Sequence, residues 1–279
     1  MIDTVPVVAV HGDETTPSID VDPVARWFDD VSRGRWRPDF SRLASVRVPH
    51  DLARYRAGGG ILAGGLGSRD LVEIVVAGLD EKDRTSVADT EGRLLLITPK
   101  GFRPHTWKPR PGRAALGSRR QLVRYAVVPE DASAGIVAHE LAHLLLGWPD
   151  LDRRSGRRCL MGEGARTGAT PSAALLLRAG WRNALPLDRF TSAQTISTGG
   201  DVVGVVGSIV AEWRDGRLLA WADGECPRLV LDMAADAESP VLGLLAPAVR
   251  RMDQTVRTVD PVVRRPSRSS WALRASESG

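Results

Sequence analysis

The apolar positions in the first half of the chain follow two periodic patterns. Four short apolar runs are typical of buried strands: VPVVAV (5–10), LASVRVPH (43–50), GRLLLITP (92–99) and LVRYAVVP (122–129). Residues 22–32 and 69–82 instead carry apolar side chains at helical spacing, and the first of these stretches opens with Asp-Pro, a helix-start signal. The pattern therefore predicts a mixed α/β first half.

Two further helices are predicted in the middle of the chain. The first can begin within residues 131–133 and end at Gly147, because glycine commonly follows a helix C-cap. The second covers residues 170–181, with Thr170 as its N-cap. Residues 100–120 are rich in proline, glycine and arginine, which predicts a long surface loop near a working site.

Beyond residue 190 the pattern changes to short β-type runs. Residues 208–224 contain an Arg-Asp-Gly-Arg hairpin signal between two apolar stretches, and residues 227–234 form a further run. We therefore predict a larger region over residues 1–190 and a smaller β-rich region over residues 191–279. Its arginine-rich segment 263–270 is expected to be a flexible basic tail.

Composition and charge narrow the possible partners. With 279 residues, 43% of them hydrophobic, the chain can bury a sizeable core. The net charge of +4 comes from arginines interspersed with acidic residues, so we expect no nucleic-acid partner. No apolar run reaches the roughly 18 residues of a membrane span, so we expect no membrane partner. Cys159 and Cys226 can form one disulfide or none, and the sequence leaves the oligomeric state open.

The stretch HELAHLLLGWPD (139–150) is the strongest chemical signal. His139 and His143 are four positions apart, so on a helix both imidazoles project from one face and can bind one tetrahedral Zn²⁺. Glu140 stands about 100° round the helix from His139, close to the metal but not bound to it. That position suits a general base for metal-activated water. The structural alternative is a metal-free helix with two histidines.

A catalytic zinc needs a third protein ligand, and the downstream candidates are Asp150, Asp152, Cys159 and Glu163. Glu163 has the separation seen in thermolysin-like gluzincins, but its glycine-rich surroundings do not predict the helix that delivers the glutamate there. Asp150 follows Gly-Trp-Pro, a turn that can bring its carboxylate back to the metal. Cys159 is better explained as a packed residue or as the disulfide partner of Cys226.

Three neighbouring motifs resemble the immune inhibitor A family of bacterial metallopeptidases: HELAHLLLGWPDLD (139–152), CLMGEG (159–164) and PSAALLLRAGW (171–181). The corresponding features of that family are the HExxHxxGxxD motif, a Leu-Met-Ser-Gly turn and a helix ending in Gly-Trp. The likeness is looser upstream, where PHTW (104–107) is similar to the loop before the active-site helix. It covers roughly residues 5–185.

The resemblance implies a zincin fold. The expected fold class is therefore α+β, with a zincin-like mixed sheet and an active-site helix, followed by the smaller β-rich C-terminal region. The resemblance also implies a zinc held by His139, His143 and Asp150, with Glu140 as the base. Met161 would form the methionine turn beneath the metal, although an isolated methionine is more often ordinary core filling.

The spacing after the second histidine departs from the family motif by one residue, because Leu144, Leu145 and Leu146 precede Gly147. Absorbed in an α-helix, the extra residue would turn the following chain by about 100°. This keeps Asp152 open as an alternative third ligand.

The group that would stabilise an oxyanion is a second departure. The only tyrosines are Tyr55 and Tyr125, and neither follows Met161. His105, in the predicted loop, is a candidate stabiliser, although a lone loop histidine is commonly just solvated.

The expected activity is that of a zinc-dependent endopeptidase acting on a protein or peptide substrate. Glu140 would deprotonate the attacking water and pass the proton to the leaving amine. The alternative is a catalytically weak or inactive zinc-binding module of the same fold, acting in binding or regulation. For localisation, the resemblance points to an extracellular protein, whereas a chain starting at Met1 without a signal peptide would be cytoplasmic.

Overall fold

The structure, a computed structural model, describes residues 3–12, 15–49, 52, 55, 68–107, 123–188, 191–196 and 202–246. These residues form two mixed sheets with helices packed against them, so the predicted mixed α/β character is confirmed. No helix in these ranges is long and apolar enough to cross a membrane. The predicted basic tail at 263–270 lies outside the described residues.

The first sheet contains six strands: β1 (Thr4–His11), β2 (Asp39–Arg42), β3 (Val46–Arg47), β4 (Arg93–Thr98), β5 (His105–Trp107) and β6 (Arg124–Pro129). The order is β2-β1-β4-β6-β5, and β3 pairs with β1 beyond the end of β2. All pairs are parallel except β5, which runs antiparallel to β6.

Strand β5 corrects the prediction of a loop over residues 100–120. Three residues are too few to show the period-two pattern of a strand, and the surrounding prolines and glycines favoured a loop instead. The remainder of that segment, residues 108–120, lies outside the described residues.

The helices are α1 (Asp22–Ser32), α2 (Ser68–Gly78), α3 (Glu81–Asp89), α4 (Ala134–Leu141), α5 (Arg153–Gly156) and α6 (Ala173–Arg178). Helix α1 has the predicted bounds. The single helix predicted over 69–82 is wrong, because Asp80 caps a second helix there, its carboxylate accepting a hydrogen bond from the Asp83 N–H at 2.8 Å. Helix α6 is shorter than the predicted 170–181 and is capped by Ser172 rather than Thr170.

Apolar side chains of the first sheet alternate between its two faces, as the strand period of two requires. One face, which includes Val7 and Leu95, shares a core with α1, α4 and α6, and we call it the site face. The opposite face, which includes Val8 and Leu94, packs against α2. Helix α4 is therefore buried on the site face.

The second sheet has the order β11-β10-β9-β8-β7, formed by β7 (Asn183–Pro186), β8 (Val202–Val206), β9 (Ile209–Arg214), β10 (Arg217–Ala222) and β11 (Arg228–Ala234). Its neighbouring strands are antiparallel except for β7 and β8. The predicted hairpin joins β9 to β10, with Asp215 and Gly216 at φ values of 52° and 69°.

The second sheet shares its core with the first. Val210, Leu219 and Trp221 belong to the same hydrophobic cluster as the buried side chains of α4 and α6. Strand β7 is part of this sheet although it precedes the boundary predicted near residue 190. A contiguous core of this kind couples the position of the second sheet to that of α4.

Candidate metal centre

Helix α4 begins where the sequence allows it to approach the segment 163–168 closely. Its N-cap is Ser133, whose side-chain oxygen accepts a hydrogen bond from the Ile136 N–H. A Cβ at Gly135 would lie 2.1 Å from the carbonyl oxygen of Ala165, so a side chain at this position would collide with that backbone. The glycine therefore sets the distance between the helix and the chain that follows it.

The turn after α4 is a π-turn over Ala142–Leu146, so the α-helix ends earlier than the predicted Gly147. A π-turn contains one more residue than an α-helical turn. It ends at Gly147, which has a φ of 66°, and the Trp148 N–H then donates to the carbonyl of Ala142 at 3.3 Å. The extra residue relative to the family motif is accommodated in this turn, and Asp150 is not carried away from the histidines.

Three side-chain atoms converge beside the π-turn. The Nε2 atoms of His139 and His143 are 3.2 Å apart, and Oδ1 of Asp150 lies 3.3 Å from the first and 3.2 Å from the second. Bonds of about 2.0–2.1 Å to a tetrahedral zinc imply ligand–ligand distances of about 3.3–3.4 Å. The three atoms therefore fit three corners of such a tetrahedron, and they can hold a metal ion.

Backbone carbonyls fix the orientation of both imidazoles. Nδ1 of His139 lies 2.8 Å from the carbonyl oxygen of Leu160, and Nδ1 of His143 lies 2.5 Å from that of Trp148. Because a carbonyl can only accept, each Nδ1 carries a hydrogen, and a ring in its neutral form directs the lone pair of Nε2 into the cluster. Two lone pairs and a carboxylate oxygen then face one another, an arrangement that a cation or a proton must stabilise.

The metal-free cluster is strongly coupled electrostatically. Hydrogen bonds from His139 and His143 hold the pKa of Asp150 well below its ordinary range. Burial alone would lower the pKa of His139, but its hydrogen bonds to Asp150 and to the Leu160 carbonyl outweigh burial, so its pKa is raised. The carboxylate and a protonated imidazole thus stabilise each other when no metal is bound.

Glu140 lies beside the cluster and outside it. The residue is 6% exposed, and Oε2 of its carboxylate accepts a hydrogen bond from Oγ1 of Thr106 at 2.7 Å. The same hydroxyl is 2.8 Å from the backbone oxygen of Glu140, so its single proton can serve either acceptor. Thr106 is on the edge strand β5, which therefore helps to fix the carboxylate.

The structure does not bring the other candidate ligands to the cluster. Asp152 caps α5, its two carboxylate oxygens accepting from the backbone N–H and the hydroxyl of Ser155 at 3.0 and 2.8 Å. Glu163 lies 3.6 Å from Nε of Arg153. Cys159 is fully buried, and burial raises the pKa of its thiol to about 11.

Met161 lies in the segment that supports the histidines. Its side chain is fully buried, and its carbonyl oxygen accepts from the Leu151 N–H at 2.7 Å. The preceding residue is Leu160, whose carbonyl orients His139. The backbone at Met161 thus connects the chain around Asp150 to the chain that holds a histidine. Cys159 and Cys226 are both free thiols in this structure.

Neither tyrosine lies near the cluster, and His105 does not either. Tyr55 and Tyr125 are buried in the core of the opposite sheet face. The ring of His105 packs edge-on against Tyr125, with centroids 6.2 Å apart, while the next residue, Thr106, faces Glu140. The alternation of β5 therefore directs His105 away from the site face.

Sequence reasoning missed two kinds of contributor to this site. Thr106 was hidden because its strand was predicted as part of a loop. The carbonyls of Leu160 and Trp148 have no sequence signal at all, since every residue carries a carbonyl group. Only the tertiary arrangement shows which carbonyls meet the imidazoles.

Comparisons with protein families and with curated proteins find no match to this chain.

Proposed function

We propose that the chain is a zinc-dependent endopeptidase with a zincin-like fold, similar to the immune inhibitor A family. The observation that supports this most directly is the convergence of His139, His143 and Asp150 at the edge lengths of a tetrahedron. Two imidazole nitrogens and one carboxylate oxygen are a ligand set that suits zinc and leaves a fourth position for water or substrate.

Zinc bound by these three residues would polarise a peptide carbonyl and make water more acidic. Glu140 would accept a proton and later return it to the leaving amine, because its carboxylate interacts electrostatically with His139 without being one of the three converging groups. The Thr106 hydroxyl holds one of its oxygens, which limits the rotation of the carboxylate. Burial of Glu140 excludes competing water from the side of the sheet.

Strand β5 offers a place for an extended peptide. It pairs with β6 on one side, and no strand in the described part of the chain pairs with its other side. A peptide can add to such an edge through backbone hydrogen bonds that do not depend on its sequence. Since Thr106 of this strand contacts Glu140, a chain bound there would pass close to the base. A protein or peptide substrate is therefore the partner we propose.

The test combines metal content with peptide cleavage. We expect the wild-type protein to bind one zinc per chain and to cleave casein or a peptide library. Glu140→Ala should keep the zinc and lose activity by about 100- to 10,000-fold, the usual contribution of a general base. Glu163→Ala, which removes an exposed carboxylate outside the cluster, is the matched control and should change neither quantity.

A second candidate is a zinc-binding module without turnover that acts in binding or regulation. The observation that favours it is the burial of both tyrosines on the opposite sheet face, which leaves the cluster without a phenol to stabilise an oxyanion. Equal residual cleavage by the wild type and by Glu140→Ala, with zinc retained in both, would establish this alternative. A protein that binds no zinc would exclude both candidates.

A further inference from the structure

Two charged side chains of the second sheet are buried where strand β9 meets the first region. Glu212 is fully buried and Arg214 is 8% exposed, and Nη2 of the arginine lies 2.8 Å from Oε2 of the glutamate. Desolvation makes such a pair costly, and well-packed apolar residues are often at least as stabilising. Stability alone therefore does not explain why strand β9 carries this pair.

The guanidinium of Arg214 holds both ends of one segment of the first region. Nη1 donates to the carbonyl oxygens of Arg158 at 2.9 Å and Thr170 at 3.3 Å, and Nη2 donates to that of Pro171 at 2.7 Å. We call residues 158–171 the support segment. A planar group with several donors can span these separated carbonyls, which a single point charge cannot do.

Glu212 completes the attachment. Its Oε2 neutralises the guanidinium, and its Oε1 accepts from the indole N–H of Trp221 at 2.8 Å and from the backbone N–H of Ala173 at 3.3 Å. Ala173 is the first residue of α6, two residues beyond the end of the support segment. The pair thus connects strands β9 and β10 with the end of that segment.

The support segment, in turn, holds two of the three candidate ligands. Leu160, two residues beyond Arg158, accepts the hydrogen bond that orients His139. Met161 accepts from the N–H of Leu151, the neighbour of Asp150. One short stretch of backbone, residues 158–161, is therefore hydrogen-bonded to Arg214, to the helix and to the loop.

The second sheet also contacts the loop around the third ligand. The thiol of Cys226 donates to the backbone oxygen of Asp150 at 3.2 Å. The hydroxyl of Ser155 accepts from the Leu229 N–H at 3.0 Å, three residues after Asp152. These contacts all lie on the side of the loop that faces the second sheet.

We propose that the Glu212–Arg214 pair positions the metal ligands, so that the second sheet is part of the metal centre rather than a separate module. This inference rests on the metal site of the proposed function. Arg214 touches neither metal ligand nor substrate, and it acts by holding the support segment in register with α4 and Asp150.

Two variants test the role of the pair. Arg214→Lys keeps the charge opposite Glu212 but cannot reach carbonyls at both ends of the segment, and the double variant Glu212→Leu with Arg214→Met replaces the ions by apolar groups. We expect both to bind Zn²⁺ about 10- to 100-fold more weakly in a chelator competition, the usual effect of disturbing the groups that orient metal ligands. Arg93→Met is the matched control, because Arg93 forms a partly buried pair with Asp3 at 2.8 Å in the first sheet, and it should leave zinc affinity unchanged.

A second measurement does not require metal. The Nδ1 proton of His139, protected by the Leu160 carbonyl, should give a slowly exchanging NMR resonance in the metal-free wild type and in Arg93→Met. It should weaken or disappear in the Arg214 variants while cooperative unfolding is retained.

The inference would be wrong if folded Arg214→Lys had the zinc affinity of the wild type and an unchanged His139 resonance. If the double variant does not fold, Arg214→Lys is sufficient for the test. A wild-type protein that binds no zinc would instead contradict the proposed function. In that case the resonance still decides whether the pair positions His139.

Discussion

The helical half and the loop half of the candidate metal centre are built in different ways. His139 and His143 lie on a buried helix and its π-turn, and their side chains are each 14% exposed, whereas the Asp150 side chain is 74% exposed. The helical period puts the two histidines on one side of the helix, and burial of the helix's apolar face in the core fixes the direction of that side. Asp150 depends on a chain reversal and on the hydrogen bond between Leu151 and Met161.

The strength of metal binding and the exact placement of the third ligand therefore have separate structural origins. The histidines lie on a helix that is buried in the shared core, so they should retain weak metal binding without Asp150. The loop half adds a third ligand and a negative charge but needs support from distant parts of the chain. Removing a group from each half should therefore have unequal effects.

The largest effect is expected in the helical half, for His139→Ala. Structural zinc sites with four ligands bind with about 10–16 kcal/mol, or about 2.5–4 kcal/mol per ligand, so losing one imidazole should weaken zinc binding about 100- to 1,000-fold. Isothermal titration or chelator competition measures this change. His11→Ala, at the end of β1, is the control and should bind zinc as the wild type does. Unchanged affinity in His139→Ala would show that the metal binds elsewhere.

A smaller loss is expected in the loop half, for Asp150→Asn. The amide keeps an oxygen at the same place but removes the charge, so zinc affinity should fall about 10- to 100-fold. Asp152→Asn should leave zinc affinity unchanged and instead lower the free energy of unfolding by about 1 kcal/mol or less, because its carboxylate caps α5. Weaker zinc binding by Asp152→Asn, with unchanged binding by Asp150→Asn, would show that Asp152 is the third ligand.

Thr106→Val tests the role of Glu140 as the base without changing a metal ligand. A hydrogen bond to a charged group contributes about 1.5–3 kcal/mol, so losing the contact with Glu140 should lower kcat about tenfold or more, with zinc content and KM unchanged. Thr98→Val, which removes a buried hydroxyl that donates to the Val128 carbonyl, is the matched control and should keep kcat. An equal fall in both variants would indicate a general loss of sheet packing.

The smallest effect is a pH dependence of the metal-free protein. The raised pKa of His139 contributes stability below about pH 6.5 that is lost as the pH rises through the folded value. The lowered pKa of Asp150 contributes stability above about pH 3.9 that is lost only in stronger acid. Thermal unfolding in a chelator should therefore show added stability between about pH 4 and 6.5. Asp150→Asn should reduce it, and an identical pH profile in that variant would contradict the coupling.

Above that range, zinc should take over the role of the proton. Metal binding needs unprotonated imidazoles, so zinc affinity should increase as the pH rises through the folded pKa of His139. The comparison of the chelated and zinc-loaded proteins across pH therefore distinguishes the two states of the cluster.

Much of the first sheet and of α1 could be predicted from the sequence, because strand and helix periods are local properties of consecutive residues. The helix split at Asp80 and the short strand β5 could not. In the first case a capping aspartate competes with a continuing apolar pattern, and in the second the strand exists only because β6 is beside it.

The sequence by itself determined the pair of histidines, the adjacent glutamate and the reversal after Pro149, because four-residue spacing and the restrictions on proline act within a few residues. The tertiary structure alone decided that a π-turn over Ala142–Leu146 accommodates the extra leucine, that Asp150 rather than Asp152 meets the imidazoles, and that Thr106 contacts Glu140. It also decided that Arg214 holds the support segment. These contacts join residues that are distant in sequence, and they form only when packing of the shared core brings their backbones together.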